Sequence, residues 1–309
     1  MDTQATEGQI AFPDHYFSLQ PPSTVPFHRG HFAQVLNKLR LPESTAWLLQ
    51  SDSSSFQSYK LNGSKIGLTL RRVSRGILAA DYALSMSYCT ETGDINALLM
   101  GPSLEQAEYI REIISGLKEY AVHPALLPTI LYSCTRSLLG KLIHQEHDKM
   151  FQFEAKAGGT DVHIIMGGRI MKPNQVGHKD IIKSARSILQ LVTAWEYLSK
   201  SLLLEIDALN KFVDSLAAAT NDNRVKMCSE IIIERLRFIS LKGNEVLFVA
   251  QKVKDRVSMQ LAAFSNVLAL QNNETSLNIA TSTKTDSAAM SSIALLTMAF
   301  LPSTFLAVS

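Results

Sequence analysis

Apolar and polar residues alternate with a period of two across residues 65–100. Ile66, Leu68 and Leu70 alternate with Gly67, Thr69 and Arg71, and Tyr82, Leu84, Met86 and Tyr88 alternate with Ala83, Ser85 and Ser87. This pattern predicts two strands, each burying one face. Glu91-Thr92-Gly93-Asp94 supplies the residues of a tight connection, so a third strand over 95–100 is expected to pair back on the second. Ser103 followed by Gln106 fits a capping box. Ile110, Ile113, Ile114 and Leu117 then mark the inner face of a helix ending before His123-Pro124. A second helix is predicted over 126–147. Beyond it, Phe151-Gln152-Phe153 and the apolar run Val162-His163-Ile164-Ile165-Met166 flank Gly158-Gly159 and read as an edge hairpin.

From His178 onward the period becomes helical, and no proline occurs until Pro302. Ile181, Ala185, Ile188, Val192, Trp195, Tyr197 and Leu198 open a stripe that continues through Leu202, Leu209, Phe212 and Leu216 to a polar break at residues 219–223. Val225, Ile231, Ile232, Leu236 and Ile239 predict a further helix up to Gly243-Asn244, where a C-cap is expected. Val246, Val249, Val253, Val257, Leu261, Phe264 and Leu268 predict a third helix, which can run on through the Asn-, Thr- and Ser-rich residues 271–286 because nothing there forces a stop. Such long periodic helices suit a stalk or a coiled bundle.

The expected fold class is therefore α+β: a small mixed sheet with helices, then a long helical stalk running into one C-terminal membrane helix. The expected organisation is a flexible N-terminal arm at 1–46, an α+β cytosolic domain at 47–178, a stalk at 179–286 and a transmembrane segment at 287–309. The arm follows from Pro13, Pro21, Pro22 and Pro26 among polar residues. The membrane segment follows from a stretch of about 23 uncharged residues after Asp286, long enough as helix to cross a hydrocarbon core of about 30 Å. Its apolar part, 293–301, is interrupted by Pro302, Ser303 and Thr304, which a membrane helix tolerates among other helices. A buried C-terminal helix of a cytoplasmic protein is the alternative.

Composition narrows the partners. The 309 residues hold 30 Lys and Arg against 28 Asp and Glu, without the basic excess that nucleic-acid binding requires. The start of the chain has acidic residues and no apolar run where a secretory signal would need charge and hydrophobicity. Cys89, Cys134 and Cys228 form no C-x-x-C pair and read as small core residues in a reducing compartment.

Chemistry is thinly marked, and an enzyme is not expected: the sequence has no G-x-S-x-G elbow, no Walker-type loop, no G-x-G-x-x-G after a strand and no H-E-x-x-H. His28 with His31 lacks further ligands. His144 and His147, one helical turn apart beside Glu146 and Asp148, lack a third ligand at a diagnostic spacing. Gly167-Gly168-Arg169 with Lys172 has the makings of an anion cup and more often marks a plain loop. The sequons at Asn62 and Asn273 are chance matches without a signal peptide.

One stretch is specific. Residues 286–307 resemble the first membrane helix of the fungal branch of the CorA-like magnesium transporter family. The likeness is carried by Leu296-Thr297, Phe300-Leu301-Pro302, Thr304-Phe305 and Ala307. Gln271-Asn272-Asn273-Glu274 and Lys284-Thr285-Asp286-Ser287 are similar to the end of that family's stalk helix. The run 82–88, Glu91-Thr92-Gly93, the run 97–101 and His123-Pro124-Ala125-Leu126-Leu127-Pro128 are similar to its soluble domain. The resemblance covers about 47–309. It implies a membrane protein with a cytosolic N-terminal domain, assembled as a homo-oligomer or with complete relatives, and Mg2+ as a transported or regulatory ion rather than a cofactor. In that family a Gly-Met-Asn signature and a second membrane helix follow the first. The sequence ends before both, so no selectivity or metal-binding residues carry over, and the expectation is a degenerate or accessory subunit that does not conduct alone. Asp255 and Glu245 are stalk acids of the kind that meet divalent ions between subunits in the family, and equally of the kind found on any solvated helix. The alternative is a non-transporting oligomeric interaction protein, soluble or tail-anchored.

Overall fold

The computed structural model describes residues 29–51, 53–61, 64–74, 81–156 and 178–306. These residues form an α+β structure: one four-stranded sheet and a set of helices, the last three of them long. The strands are β1 (Ser55–Lys60), β2 (Lys65–Arg72), β3 (Tyr82–Cys89) and β4 (Ile95–Met100), in the order β1-β2-β3-β4. Every pairing is antiparallel, with Lys65 opposite Cys89 and Tyr88 opposite Ile95, so the sheet is not mixed as expected. The reason is connection length, since each link is shorter than a parallel crossover requires. Between β3 and β4 the turn places Gly93 at φ 74°, a conformation glycine adopts freely.

Both faces of the sheet are covered. Leu68, Leu70, Tyr82, Leu84, Met86 and Tyr88 point into the main core. On the opposite face a row of hydroxyls lies under α2 (Thr45–Gln50) and the link that joins it to α1 (Arg29–Lys38). Thr45 Oγ1 lies 2.7 Å from Ser85 Oγ, and Ser87 Oγ donates to the Leu39 carbonyl. Period-two alternation here separates an oily layer from a hydroxyl layer, each with its own cover. The stretch from Arg29, expected within the N-terminal arm, is thus partly helical; residues 1–28 lie outside the described residues.

α3 (Leu104–Gly116) starts with the expected capping box: Ser103 Oγ accepts from Gln106 N at 3.2 Å and Gln106 Oε1 accepts from Ser103 N at 3.0 Å. A short 3-10 turn at Lys118–Tyr120 leads to α4 (Leu126–Lys156), followed by α5 (His178–Ala219) and α6 (Asn223–Leu306), an 84-residue helix about 126 Å long. α4 and α6 run parallel. Ser133 meets Arg235 and Glu154 meets Arg256, whereas α5 runs against both, with Glu196 at the level of Lys254. Leu139, Ile143 and Met150 of α4, Leu202 and Leu209 of α5 and Leu236, Ile239 and Val253 of α6 form the bundle core.

Three expectations change. Phe151-Gln152-Phe153 belongs to α4 rather than an edge hairpin, because Met150 and Phe153 extend its buried stripe by one more turn; residues 162–166 lie outside the described residues. Gly243-Asn244 caps nothing, and α6 passes straight through. A Cβ at Gly243 would meet the tip of the Leu203 side chain, Cδ2, at 2.9 Å, so the position faces α5 rather than ending a helix. Of the cysteines, Cys228 is buried, while Cys89 and Cys134 are half-buried.

Candidate functional site

The last buried turn of α6 is its base. Val253 and Val257 are fully buried there, and the side chains between them are tied to both neighbouring helices. Lys254 Nζ donates to Glu196 of α5 at 2.9 Å, and Arg256 donates to both oxygens of Glu154 of α4, at 3.1 and 2.6 Å. The Arg256 guanidinium also lies 5.1 Å over the Phe151 ring. Hydrogen bonds from Lys200 and Lys254 hold the Glu196 carboxyl down at about 2. The base is a two-sided clamp built from two ion pairs and two valines.

Beyond it the helix becomes a shaft. Every residue from 269 to 298 is exposed, among them Leu270, Leu277, Ile279, Met290, Ile293, Leu295 and Met298. From 257 to 306 the charged residues are Glu274, Lys284 and Asp286. A helix standing alone in water needs charged pairs around it, which this one lacks. Its hydroxyls turn inward on their own backbone instead: Thr275 donates to the Gln271 carbonyl, Thr283 to Ile279 and Thr297 to Ile293. What faces outward is a mixture of uncharged amides and apolar side chains, the apolar ones concentrated from Met290 to Met298.

The predicted membrane motif lies at the far end of this shaft. Leu296 and Thr297 are exposed on it. Phe300, Leu301, Pro302, Thr304 and Phe305 are within α6, and Ala307 lies outside the described residues. Among the described residues no helix is long and apolar enough to cross a membrane.

Among the described residues the candidate ligand sets are not assembled. His144 Nδ1 bonds the Gly140 carbonyl, and His147 stacks edge-on against Phe151, so the two rings have separate partners. Glu245 is held by Lys242 and Asp255 is exposed. No group of three or more metal-binding side chains occurs among the described residues. Gly167, Gly168, Arg169 and Lys172 lie outside them.

Sequence reasoning missed a buried charge centre where β2 meets α5. Arg72, with no exposed surface, donates to Glu205 Oε1 at 2.9 Å and to the Leu198 carbonyl at 2.6 Å, and Ser201 Oγ donates to the same carboxylate oxygen at 2.9 Å. Burial pushes the Glu205 carboxyl up, against the pull of Arg72. Two signals were available: an arginine pair ending an apolar strand, and a glutamate between Leu202 and Leu209 on the buried stripe of a helix. The centre fixes the sheet to the bundle. Set against known proteins, the chain matches no family model and no curated protein.

Proposed function

We propose that this protein is a CorA-like membrane-associated subunit, accessory to divalent metal ion (magnesium) transport. In this reading the α+β part lies in the cytosol, the shaft of α6 packs against copies of itself or complete relatives, and 287–309 enters the membrane. The observation that carries the reading is the shaft: a long, nearly uncharged helix with every residue from 269 to 298 exposed, leading into the motif that resembles a transporter's first membrane helix. Ordered helix of this length draws its stability from packing, so the exposed surface calls for helical company. The polar groups available to line a pore within 287–309, beyond the serines at its start, are Thr297, Ser303, Thr304 and Ser309, which fits an accessory role better than conduction by this chain alone.

The test is membrane partition of the full chain and of a 1–286 truncation in a eukaryotic host, with alkaline carbonate extraction. The expected result is resistance to extraction for the full chain and release of the truncation. Extraction of both removes the membrane part of the reading and leaves an oligomeric interaction protein, which cross-linking through the shaft then addresses. With membrane insertion established, magnesium uptake with and without complete relatives separates accessory from inert.

A further inference from the structure

α3 sits loosely. Ile110 is its one buried residue, and between α3, α4 and the flank of α6 there remains a cavity of about 860 Å³. This lies within the roughly 300–1,000 Å³ typical of small-molecule sites. Its walls are apolar, built from Ile110 and Ile113 of α3, Leu126, Ile130 and Leu138 of α4 and Ile232 of α6. The shape follows from the helices. α4 lines it from Leu126 to Lys141, about 22 Å at the helical rise, so the space runs along that helix as a half-open slot. Leu117, Tyr120 and Leu126 make one end apolar, and Lys141 stands at the other.

The polar lining is unbalanced in charge. Among the described residues Lys141 and Arg235 are its two cations, both with their charged ends in solvent at the rim; Arg235 lies 3.4 Å from Ser133 Oγ and 5.4 Å over the Phe238 ring. Asp81 is the one acid on the lining among the described residues, and its carboxylate already accepts from Ser74 N at 2.6 Å. Glu105, Glu108 and Glu112 of α3 do not line the cavity and are exposed. A long apolar slot with an ammonium group at its end and a guanidinium on its wall is complementary to an extended alkyl chain ending in an anion.

We infer that the slot between α3 and α4 binds a long-chain fatty acid, its alkyl chain along Ile113, Ile130 and Leu126 and its carboxylate toward Lys141. The inference is independent of the transport reading. Occupancy fills the space beneath α3 and fastens that helix to the bundle.

The test is displacement of a fluorescent fatty acid from the purified full chain by palmitate, with hexadecanol as the uncharged comparison. Saturable displacement by palmitate is expected. Ser137→Trp, which places bulk in the slot from the half-buried face of α4, removes it. Lys141→Gln, at an exposed position that does not threaten folding, weakens palmitate roughly five-fold and leaves hexadecanol unchanged. A readout on the unaltered protein guards against misfolding of Ser137→Trp: palmitate slows alkylation of Cys134, which lines the slot, and leaves Cys89 unaffected. Absence of saturable binding, as when a protein segment is the true occupant, overturns the proposal. So does binding that leaves the Cys134 rate unchanged and is indifferent to both substitutions, which marks adsorption to the apolar shaft.

Discussion

The first thirty-five residues of α6 and the stretch from 269 to 298 are parts of one helix with opposite environments. In the first, Val225, Ile232, Leu236, Ile239, Val246 and Val253 are all buried against α4 and α5; in the second, leucines, isoleucines and methionines stand in the open. Backbone conformation is the same in both, so regular hydrogen bonding is not what distinguishes them. The difference is where the apolar surface goes. The bundled part spends it inside the chain, and the shaft holds it for a surface outside the chain.

Perturbations of the packed part should therefore register in the isolated chain, and those of the shaft should not. The largest effect is expected from Arg72→Ala, which leaves Glu205 buried without its partner and costs about 3–5 kcal/mol, measured by urea unfolding followed through the buried Trp195. A loss under about 1 kcal/mol would show that the charge centre does not tie sheet to bundle. Next, Leu236→Ala should cost about 2–5 kcal/mol, and Leu277→Ala less than about 0.5 kcal/mol in the dispersed chain. If Leu277→Ala instead destabilises a cross-linkable oligomer, the shaft surface is an interface, which sharpens the contrast.

A pH dependence follows from His123. Its ring is buried, accepts from Ala125 N at Nδ1 and faces Ser229 of α6 with Nε2, and burial takes it from its ordinary 6.5 down to about 4. The unfolded chain binds the proton first as pH falls. The contribution is thus complete above about 6.5 and lost by about 4, amounting to roughly 3 kcal/mol. His123→Gln should flatten the stability profile in that window, and an unchanged slope would place the acid sensitivity elsewhere. The smallest effect is expected at the junction: Lys254→Ala removes one half-exposed arm of the clamp and costs under about 1 kcal/mol, because water screens the ammonium. A larger loss would make the clamp the point where the two parts of α6 communicate.

How much of this was legible in the sequence depended on whether a residue's neighbours are local. β2, β3 and β4, the Glu91–Asp94 turn, the capping box at Ser103 and the break before α6 all come from short-range pattern, and each stands where that pattern put it. β1 went unread because Ser55-Phe56-Gln57-Ser58-Tyr59-Lys60 is a polar edge strand with no oily face to announce it. Gly243 was misread because the position faces Leu203, forty residues earlier on another helix, and no local pattern shows that. The pairing of Arg72 with Glu205 spans 133 positions, and no local period connects them. The exposure of the shaft was hidden for the same reason: Val253 and Leu277 look alike in a hydropathy pattern, and what separates them is where α4 ends and α5 begins.

The unbroken backbone of α6 gives the molecule a phase. Each residue of helix advances about 1.5 Å and turns about 100°. With the base held from both sides by Glu154 and Glu196, every side chain beyond it has a fixed compass bearing relative to the sheet. Deleting one residue between 258 and 268 would swing Leu296 and Thr297 through about 100° while shortening the helix by a negligible fraction, whereas removing seven would nearly restore the bearing and shorten it by about 10 Å. Function lost by the first change and kept by the second would mark the shaft as an angular coupling rather than a spacer.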